Sequence, residues 1–239
     1  MAPETSQSNK PSIQELIEEF SASSTRKRRN LISSLIERAN EFAKLGDSLL
    51  DCFDPNGDDW AAGCILQIFY KKHPDQLQLF LQSFPSGWFN IQSECGIDYK
   101  EFQKSLLEER FEEADRFTSA TLRELAGSSA VKRGYVYFSE VDSMAGLDLI
   151  TLDRLWIAYS QGKYGFSVQS KILASLNNQY EKMWPRIGWK KDGVWTRYPN
   201  SFDWSLSAPD GHMPLINQLR GVRLMDALLN HESLKSRPK

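Results

Sequence analysis

The chain is poor in the residue types on which catalysis and metal binding most often depend. It has 3 histidines and 3 cysteines among 239 residues, and none of the histidines belongs to a recognisable nucleophilic or acid–base motif. Cys52, Cys64 and Cys95 show no metal-ligand spacing, and their odd number favours reduced thiols. We therefore predict no catalytic centre and no metal site built by the protein.

The sequence also lacks long apolar runs and a strong bias of charge. No apolar run approaches the roughly 18 residues that a membrane-spanning helix needs. The net charge is -2 and the basic run STRKRRN is short, so we predict a solvated helix face there and no nucleic-acid partner. The start, MAPETSQSNKP, has neither the apolar core of a secretory signal nor the character of a transit peptide. We interpret 1–11 as a disordered tail of a cytoplasmic protein.

Most of the chain has the pattern of amphipathic helices joined by short links. Ser12 and Glu15 form a capping-box pattern before ELIEEF, and apolar residues recur at helical spacing over 25–45. The segment 132–142 has the alternation of a short strand, but no convincing partner strand follows it. Further helices are predicted over 59–72, 75–84, 98–109, 111–127, 149–161, 165–184 and 214–231. The sequence therefore predicts an all-α protein.

A break in the helical pattern at 84–96, FPSGWFNIQSECG, predicts a boundary between two regions. Residues 12–88 contain amphipathic helices with short links, which is typical of a small helical bundle. The region after the break opens with two strong helices and a short junction, which predicts an antiparallel helical hairpin. We therefore predict an N-terminal helical bundle over 12–88 and a larger core over 89–239.

An aromatic-rich stretch at 155–212 is the most informative part of the sequence. It holds five of the 7 tryptophans, and its second half is rich in proline and glycine, which a buried helix would not tolerate. Rings at helical spacing, such as Trp156, are interpreted as core. Side chains on the turn-forming loop are hard to bury together, and we interpret four of them as the wall of a ligand site, with core packing as the alternative: Trp189, Val194, Trp195 and Tyr198.

The last predicted helix carries NQLRGVR, in which Arg220 and Arg223 are three residues apart and share one helical face. Two guanidinium groups on one face can clamp carboxylates through paired hydrogen bonds. Asn217 lies one turn before Arg220. An intramolecular ion pair with Asp or Glu is the alternative. Beside an aromatic loop, the arginine pair favours a flat, apolar ligand edged with carboxylates, a description that a porphyrin with its two propionates fits.

Six segments form a specific combination: GIDYKEFQ, FEEAD, LRELAG, YSQGKYGFSVQ, MWPRIGWKKDGVWTRYP and FDWSLSAPDGHMPLINQLRGVR. Together they resemble the genomes-uncoupled-four family, the tetrapyrrole-binding accessory proteins of magnesium chelatase. The resemblance covers 88–231, and the N-terminal bundle is similar, more loosely, to the helical extension of cyanobacterial members. It implies a helical fold like a cupped hand, with an apolar palm for the porphyrin and two loops, 127–148 and 188–214, as fingers.

The resemblance also implies what the protein does. Family members bind protoporphyrin IX and Mg-protoporphyrin IX without covalent attachment, and they stimulate magnesium chelatase, whose large subunit binds porphyrin, rather than catalysing a reaction. The family's propionate-contacting arginines match Arg220 and Arg223, and its two loop tryptophans match Trp195 and Tyr198, so a tyrosine stands where many relatives have tryptophan. The predicted porphyrin site comprises Arg220, Arg223, Asn217, Trp189, Val194, Trp195 and Tyr198, with Phe138 and Val141 in the first finger and Trp156 and Phe166 in the palm.

Location and two alternative functions follow from the same observations. We predict a cytoplasmic protein of the cyanobacterial type, and a peripheral association with the thylakoid membrane is left open. A helical protein-interaction module would use the aromatic cup to bind a partner protein and would bind no pigment. An enzyme acting on a tetrapyrrole is the third class, and it would need an acid–base pair that the sequence does not offer.

Overall fold

The computed structural model describes residues 11–216 and 222–237. Within these ranges the regular secondary structure is helical apart from one two-stranded hairpin, which confirms the all-α prediction. Of the predicted tail, only Pro11 lies inside the described residues. None of the described helices combines the length and the apolar character needed to cross a membrane.

The N-terminal region begins with the predicted capping box. The Glu15 N–H donates to Ser12 Oγ at 3.1 Å, and the Ser12 N–H donates to the Glu15 carboxylate at 2.6 Å. The second helix ends earlier than predicted, and the apolar residues beyond it are buried by 3-10 turns. The elements are α1 (Ile13–Ala22), α2 (Thr25–Glu37), the 3-10 helices Ala39–Lys44 and Gly46–Leu50, α3 (Trp60–Lys72) and α4 (Pro74–Leu81).

The rest of the chain begins with the predicted antiparallel pair, whose two helices pack against each other across a turn at Glu109. The segment 132–142 forms helical turns rather than a strand, because the Glu140 carboxylate accepts the Tyr137 N–H at 2.8 Å and closes a tight turn. The elements are α5 (Lys100–Leu107), α6 (Phe111–Leu125), α7 (Ser128–Arg133), the 3-10 helix Phe138–Ser143, α8 (Gly146–Ala158), α9 (Phe166–Ser175), α10 (Tyr180–Arg186), α11 (Val222–Asn230) and α12 (Glu232–Lys235).

The long helix predicted over 165–184 is wrong, since the chain forms α9 and α10 with a break between them. Asn177 and Asn178 both lie in the left-handed region, with φ of 54° and 58°. Asparagine tolerates that conformation better than most residues do, so these two residues end α9. The last predicted helix begins, within the described residues, at Val222, and 217–221 lie outside them.

The hairpin after α10 consists of β1 (Lys190–Lys191) and β2 (Val194–Trp195), which are antiparallel. Its turn is Asp192-Gly193, and both residues have positive φ, 50° and 80°. An Asp-Gly pair suits this type of tight hairpin turn. The hairpin leaves Val194 and Trp195 exposed, while the Trp195 ring stays in contact with Trp184 of α10.

A single cluster of buried apolar side chains runs through both predicted regions. Helix α3 crosses α8 so closely that a Cβ on Gly63 would lie 2.1 Å from the Ala158 carbonyl oxygen. The Gln67 amide nitrogen donates to the carbonyl oxygens of Leu106 at 3.0 Å and Tyr159 at 2.7 Å. The N-terminal helices are thus joined to the rest by close backbone contact and buried hydrogen bonds, while the domain division at residue 88 stays a prediction.

Candidate functional site

A cleft of about 450 Å³ opens along one face of α6. Its size lies within the range of small-molecule binding sites. The other walls come from the segment after α7, the loop after β2, residues 215–216 and the first turn of α11. The lining residues are Asp115, Arg116, Ser119, Leu122, Arg123, Gly134, Tyr135, Val136, Tyr198, Leu215, Ile216 and Leu224.

Helix α6 has one face toward the core and another toward the cleft. On the core side, the Trp156 indole N–H donates to the Thr118 hydroxyl at 3.0 Å, which fixes the rotation of the helix. On the cleft side, Asp115, Ser119 and Leu122 follow one another at helical spacing. The cleft floor is apolar, since Leu122 and its neighbours Val136, Ile216 and Leu224 are all buried.

Two arginines of α6 bring positive charge to the cleft. Arg116 forms an ion pair with Glu112 at 2.5 Å. A hydrogen bond with the Tyr198 side chain, followed by the charge of Glu112, raises the pKa of Arg116 above its ordinary value. Arg123 lies on the same face and is partly buried. The cleft therefore combines an apolar floor with guanidinium groups, which are suited to carboxylates.

A buried carboxyl group also faces the cleft. Asp115 is 2% exposed and accepts a hydrogen bond from the Leu215 N–H at 2.6 Å. Burial raises the pKa of Asp115 to about 7, and the hydrogen bond from Leu215 opposes this shift. The charge of Glu112 adds to the rise and that of Arg116 reduces it. This carboxyl group therefore changes its charge near neutral pH.

Three of the predicted site residues lie in or beside the cleft. Tyr198 lines it and packs edge-on against Trp204, with ring centroids 5.9 Å apart. Phe138 is exposed, and the Arg223 guanidinium lies 5.5 Å from the centre of its ring. Arg223 is on α11 next to Leu224, which lines the cleft, but neither Arg223 nor Phe138 belongs to the described lining. Arg220 and Asn217 lie outside the described residues.

The hairpin residues of the predicted site lie elsewhere. Val194 and Trp195 are 69% and 40% exposed. The Trp195 ring packs against Trp184, with centroids 5.5 Å apart, and Lys190 Nζ lies 5.3 Å from its centre. Neither Val194 nor Trp195 lines the cleft in the described part of the chain.

Trp189 corrects the sequence-based prediction of a loop-borne ligand wall, since only 1% of it is exposed. Its ring stacks on Trp184 at 5.7 Å, and its indole N–H donates to the His212 carbonyl oxygen at 2.8 Å. The loop can bury this ring because Gly188 turns with φ of 76°, and a Cβ there would lie 3.1 Å from His212 Nδ1. Glycine in this loop permits burial where we expected it to prevent burial.

Three further predicted residues are completely enclosed. The exposed fraction is 0% for Val141, Trp156 and Phe166. Trp156 packs against Phe102 and Phe111 beneath α6. All three residues belong to the buried core and are absent from the described lining of the cleft, so their place in the site stays a prediction.

Sequence reasoning missed most of the residues that line the cleft, including Asp115, Arg116 and Arg123. One signal was present, because Asp115 and Ser119 share a helical face with Leu122, and a polar group on an otherwise buried face calls for an explanation. The spacing of Arg116 and Arg123 was equally visible. What could not be seen was which face of α6 meets the loop of Tyr198.

The cleft offers few groups that could hold a metal ion. Among the residues that the structure describes, no cluster of three or more His, Cys, Asp or Glu could bind one. The acidic and hydroxyl oxygens on α6 that face the cleft are those of Asp115 and Ser119. The residues present therefore fit a ligand that brings its own metal better than a metal held by the protein.

Fold and site together define an all-helical protein with a ligand-sized, arginine-lined cleft. The model of the GUN4-like family matches residues 92–232, and the model of the ARM-like repeat domain, GUN4-N terminal, matches residues 5–85. The chain belongs to the GUN4 family, the family that its motifs resemble.

Relatives and solved structures agree with this assignment. The chain is 44% identical over 172 residues to the Ycf53-like protein of Synechocystis sp., covering 72% of this chain and 74% of that protein. It is 36% identical over 138 residues to the chloroplastic tetrapyrrole-binding protein of Arabidopsis thaliana, covering 54% and 52%. The structure of GUN4 from Chlamydomonas reinhardtii matches with a TM-score of 0.58 and 38% identity, covering 61% of this chain and 93% of that one. Ligand-free Arabidopsis thaliana GUN4 matches with a TM-score of 0.54 and 35% identity, covering 60% and 98%.

Proposed function

We propose that this protein binds a tetrapyrrole without covalent attachment in the cleft along α6 and stimulates magnesium chelatase, without catalysing a reaction itself. The observation that carries the proposal is the cleft, which joins an apolar floor to two arginines on one helix. The chain belongs to the GUN4 family, and its relative in Arabidopsis thaliana is named a tetrapyrrole-binding protein.

The chemistry of the cleft suits protoporphyrin IX and Mg-protoporphyrin IX. Both ligands are flat and apolar and carry two propionates on one edge. Covering apolar surface contributes roughly 25 cal/mol per Å² removed from water, and a charge-assisted hydrogen bond to an arginine contributes roughly 1.5–3 kcal/mol. Tyr198, which lines the cleft, and Phe138 are both exposed and provide further ring surface against which a ligand can pack.

The metal of Mg-protoporphyrin IX arrives already bound to the tetrapyrrole, so this chain need only bind and orient the ligand. Asp115 and Ser119 provide the acidic and hydroxyl oxygens that α6 turns toward the cleft. We propose no role for Trp156, Val141 and Phe166 beyond supporting the cleft from the core, since all three are enclosed. Arg223 on α11 is proposed to meet a propionate, as is Arg220.

The proposed partner is the large, porphyrin-binding subunit of magnesium chelatase. We place the protein in the cytoplasm of a cyanobacterial type of cell, with peripheral contact to the thylakoid membrane. The N-terminal helices, proposed to form a bundle over 12–88, brace the core through α3, which packs on α8. Their position leaves the cleft side of α6 open, because no residue of α1 to α4 lines the described cleft.

Titration with protoporphyrin IX tests the binding proposal. Tryptophan fluorescence should be quenched, with half-saturation at or below the micromolar range. Ser119→Phe fills the cleft from α6 and should weaken binding at least tenfold, because Ser119 is a lining residue. Ser175→Phe is the matched control on the exposed face of α9 and should bind normally. Absence of quenching at tens of micromolar would sink the proposal.

A chelatase assay tests the accessory role. Added to the chelatase subunits with magnesium, ATP and protoporphyrin, the protein should increase the rate at which Mg-protoporphyrin forms, and Ser119→Phe should lose the increase. A protein that binds the chelatase but no pigment would support the alternative, a protein-interaction module. Turnover of bound pigment by the isolated protein would point to an enzyme.

A further inference from the structure

Helix α6 carries two arginines on the face that lines the cleft. Arg116 and Arg123 are seven residues apart, which is nearly two full turns, so they project in the same direction about 10 Å apart along the helix. Because α6 is held by the Trp156–Thr118 hydrogen bond on its opposite side, the direction of both side chains follows from the core. The pair therefore forms a row of positive charge along one wall of the cleft.

The two arginines differ in the ion pairs and hydrogen bonds that they already form. Arg116 is engaged in an ion pair with Glu112 at 2.5 Å. Arg123 forms no hydrogen bond and no ion pair with any residue in 11–216 or 222–237. A guanidinium has five N–H donors in a planar arrangement. The donors of Arg123 are therefore all available to a ligand in the described part of the cleft.

The neighbours of Arg123 offer it no carboxylate within the described cleft. Asp115 lies two turns earlier on α6 and accepts the Leu215 N–H at 2.6 Å. Glu124 follows Arg123 directly and is exposed, and adjacent residues on a helix point in different directions. The lining around Arg123 is otherwise mostly apolar, including Leu122 and Val136. Apolar surroundings strengthen a charge-assisted hydrogen bond with an incoming ligand.

We propose that Arg123 is a specificity-determining residue that binds an acidic side group of the tetrapyrrole. The proposal rests on the proposed function, and it goes beyond the family pattern, which places the propionate contacts on Arg220 and Arg223. Arg123 lies on α6, whereas Arg223 lies on α11, so the two arginines reach the ligand from different elements. Arg116 differs from Arg123, since it already forms an ion pair with Glu112.

Comparison of protoporphyrin IX with its dimethyl ester tests this assignment, because the ester keeps the flat ring and loses both negative charges. Arg123→Gln should weaken binding of the free acid about tenfold or more and change binding of the ester less than twofold. Arg123→Lys keeps the charge but not the planar fork, so it should restore part of the affinity for the free acid. Affinities are measured by tryptophan quenching, and circular dichroism checks that each variant is folded.

Glu124→Gln is the matched control, because it alters the charge of the adjacent, exposed residue and should leave both affinities within twofold of the wild type. If Arg123→Gln binds the free acid as the wild type does, or weakens acid and ester equally, the assignment is overturned while the proposed function stands. If the wild type binds neither compound, the proposed function and this assignment both fail.

Discussion

At the scale of single residues, Asp115 gives the stability of the protein a dependence on pH. Burial raises its pKa to about 7 from an ordinary value of 3.8. Between these two values the folded protein binds the proton more tightly than the unfolded chain does, so this residue's contribution to stability is present at low pH and is lost as pH rises toward and past 7. The ionised form keeps the Leu215 hydrogen bond but bears the cost of a buried charge.

Asp115→Asn should remove this pH dependence, because the amide stays neutral and its oxygen can still accept the Leu215 N–H. We expect the free energy of unfolding of the variant, relative to the wild type, to increase by roughly 1 kcal/mol or more between pH 5 and pH 8. Urea unfolding at each pH measures this difference, with exposed Asp47→Asn as the control. A difference that is constant across the pH range would show that Asp115 does not titrate there.

Single residues also show how far sequence reasoning reaches into the site. Tyr198 and Phe138 were predicted as site residues, and both are exposed in or beside the cleft. Trp189 was misplaced, because the stacking partner that buries it, Trp184, lies across a glycine turn whose path the sequence does not reveal. Arg123 was overlooked, because a cationic residue on an amphipathic helix is usually solvated, and only tertiary packing brings it into a cleft.

At the scale of elements, the C-terminal segment after α12 ties two distant parts of the chain together. Arg237 forms ion pairs with Asp153 of α8 and with Asp58, which precedes α3. Asp153 has no exposed surface and also accepts the Ser167 N–H at 2.9 Å. Burial raises the pKa of Asp153, and the charge of Arg237 acts in the opposite direction. Arg237 is thus the charged partner of a buried carboxylate.

Arg237→Gln should lower the free energy of unfolding by about 3 kcal/mol, because removing one partner leaves Asp153 buried without its counter-charge. Replacing Asp153 by Asn in the Arg237→Gln background should recover part of the loss, since the uncompensated charge is then gone. Lys235→Gln changes an exposed basic residue of α12 and should have an effect below about 0.5 kcal/mol. Urea unfolding measures all four proteins, and equal effects of the two single glutamine variants would contradict the role of Arg237.

The individual helices also show which features the sequence pattern predicts and which it does not. The capping box at Ser12 and the helical hairpin of α5 and α6 were predicted correctly, because local hydrogen bonds and short links decide them. The break between α9 and α10 was missed, because the apolar spacing continues across Asn177 and Asn178. The periodicity of apolar residues indicates which side chains are buried, and it does not indicate where the backbone turns.

At the scale of the whole molecule, the two regions matched by separate family models share one buried core. The family models match residues 5–85 and 92–232, and the sequence itself shows a break in pattern at 84–96. Yet Trp88 and Phe89 are buried within that break, with ring centroids 4.8 Å apart. The domain division at residue 88 stays a prediction, and the packing that crosses the break could not be predicted from the sequence.

Gly63→Ala tests whether this shared core makes the chain unfold as one unit. The added methyl group would lie 2.1 Å from the Ala158 carbonyl oxygen, so α3 and α8 must move apart. We expect a loss of about 2 kcal/mol, although alanine favours an isolated helix by roughly 1 kcal/mol over glycine. Circular dichroism and tryptophan fluorescence should both report one transition, displaced equally. Gly57→Ala is the control, since the nearest atom to its added Cβ would be the Asp54 carbonyl oxygen, at 3.3 Å. If only a fraction of the unfolding transition followed by circular dichroism is displaced, α3 and α8 belong to regions that unfold separately. In that case the N-terminal helices do not stabilise the cleft.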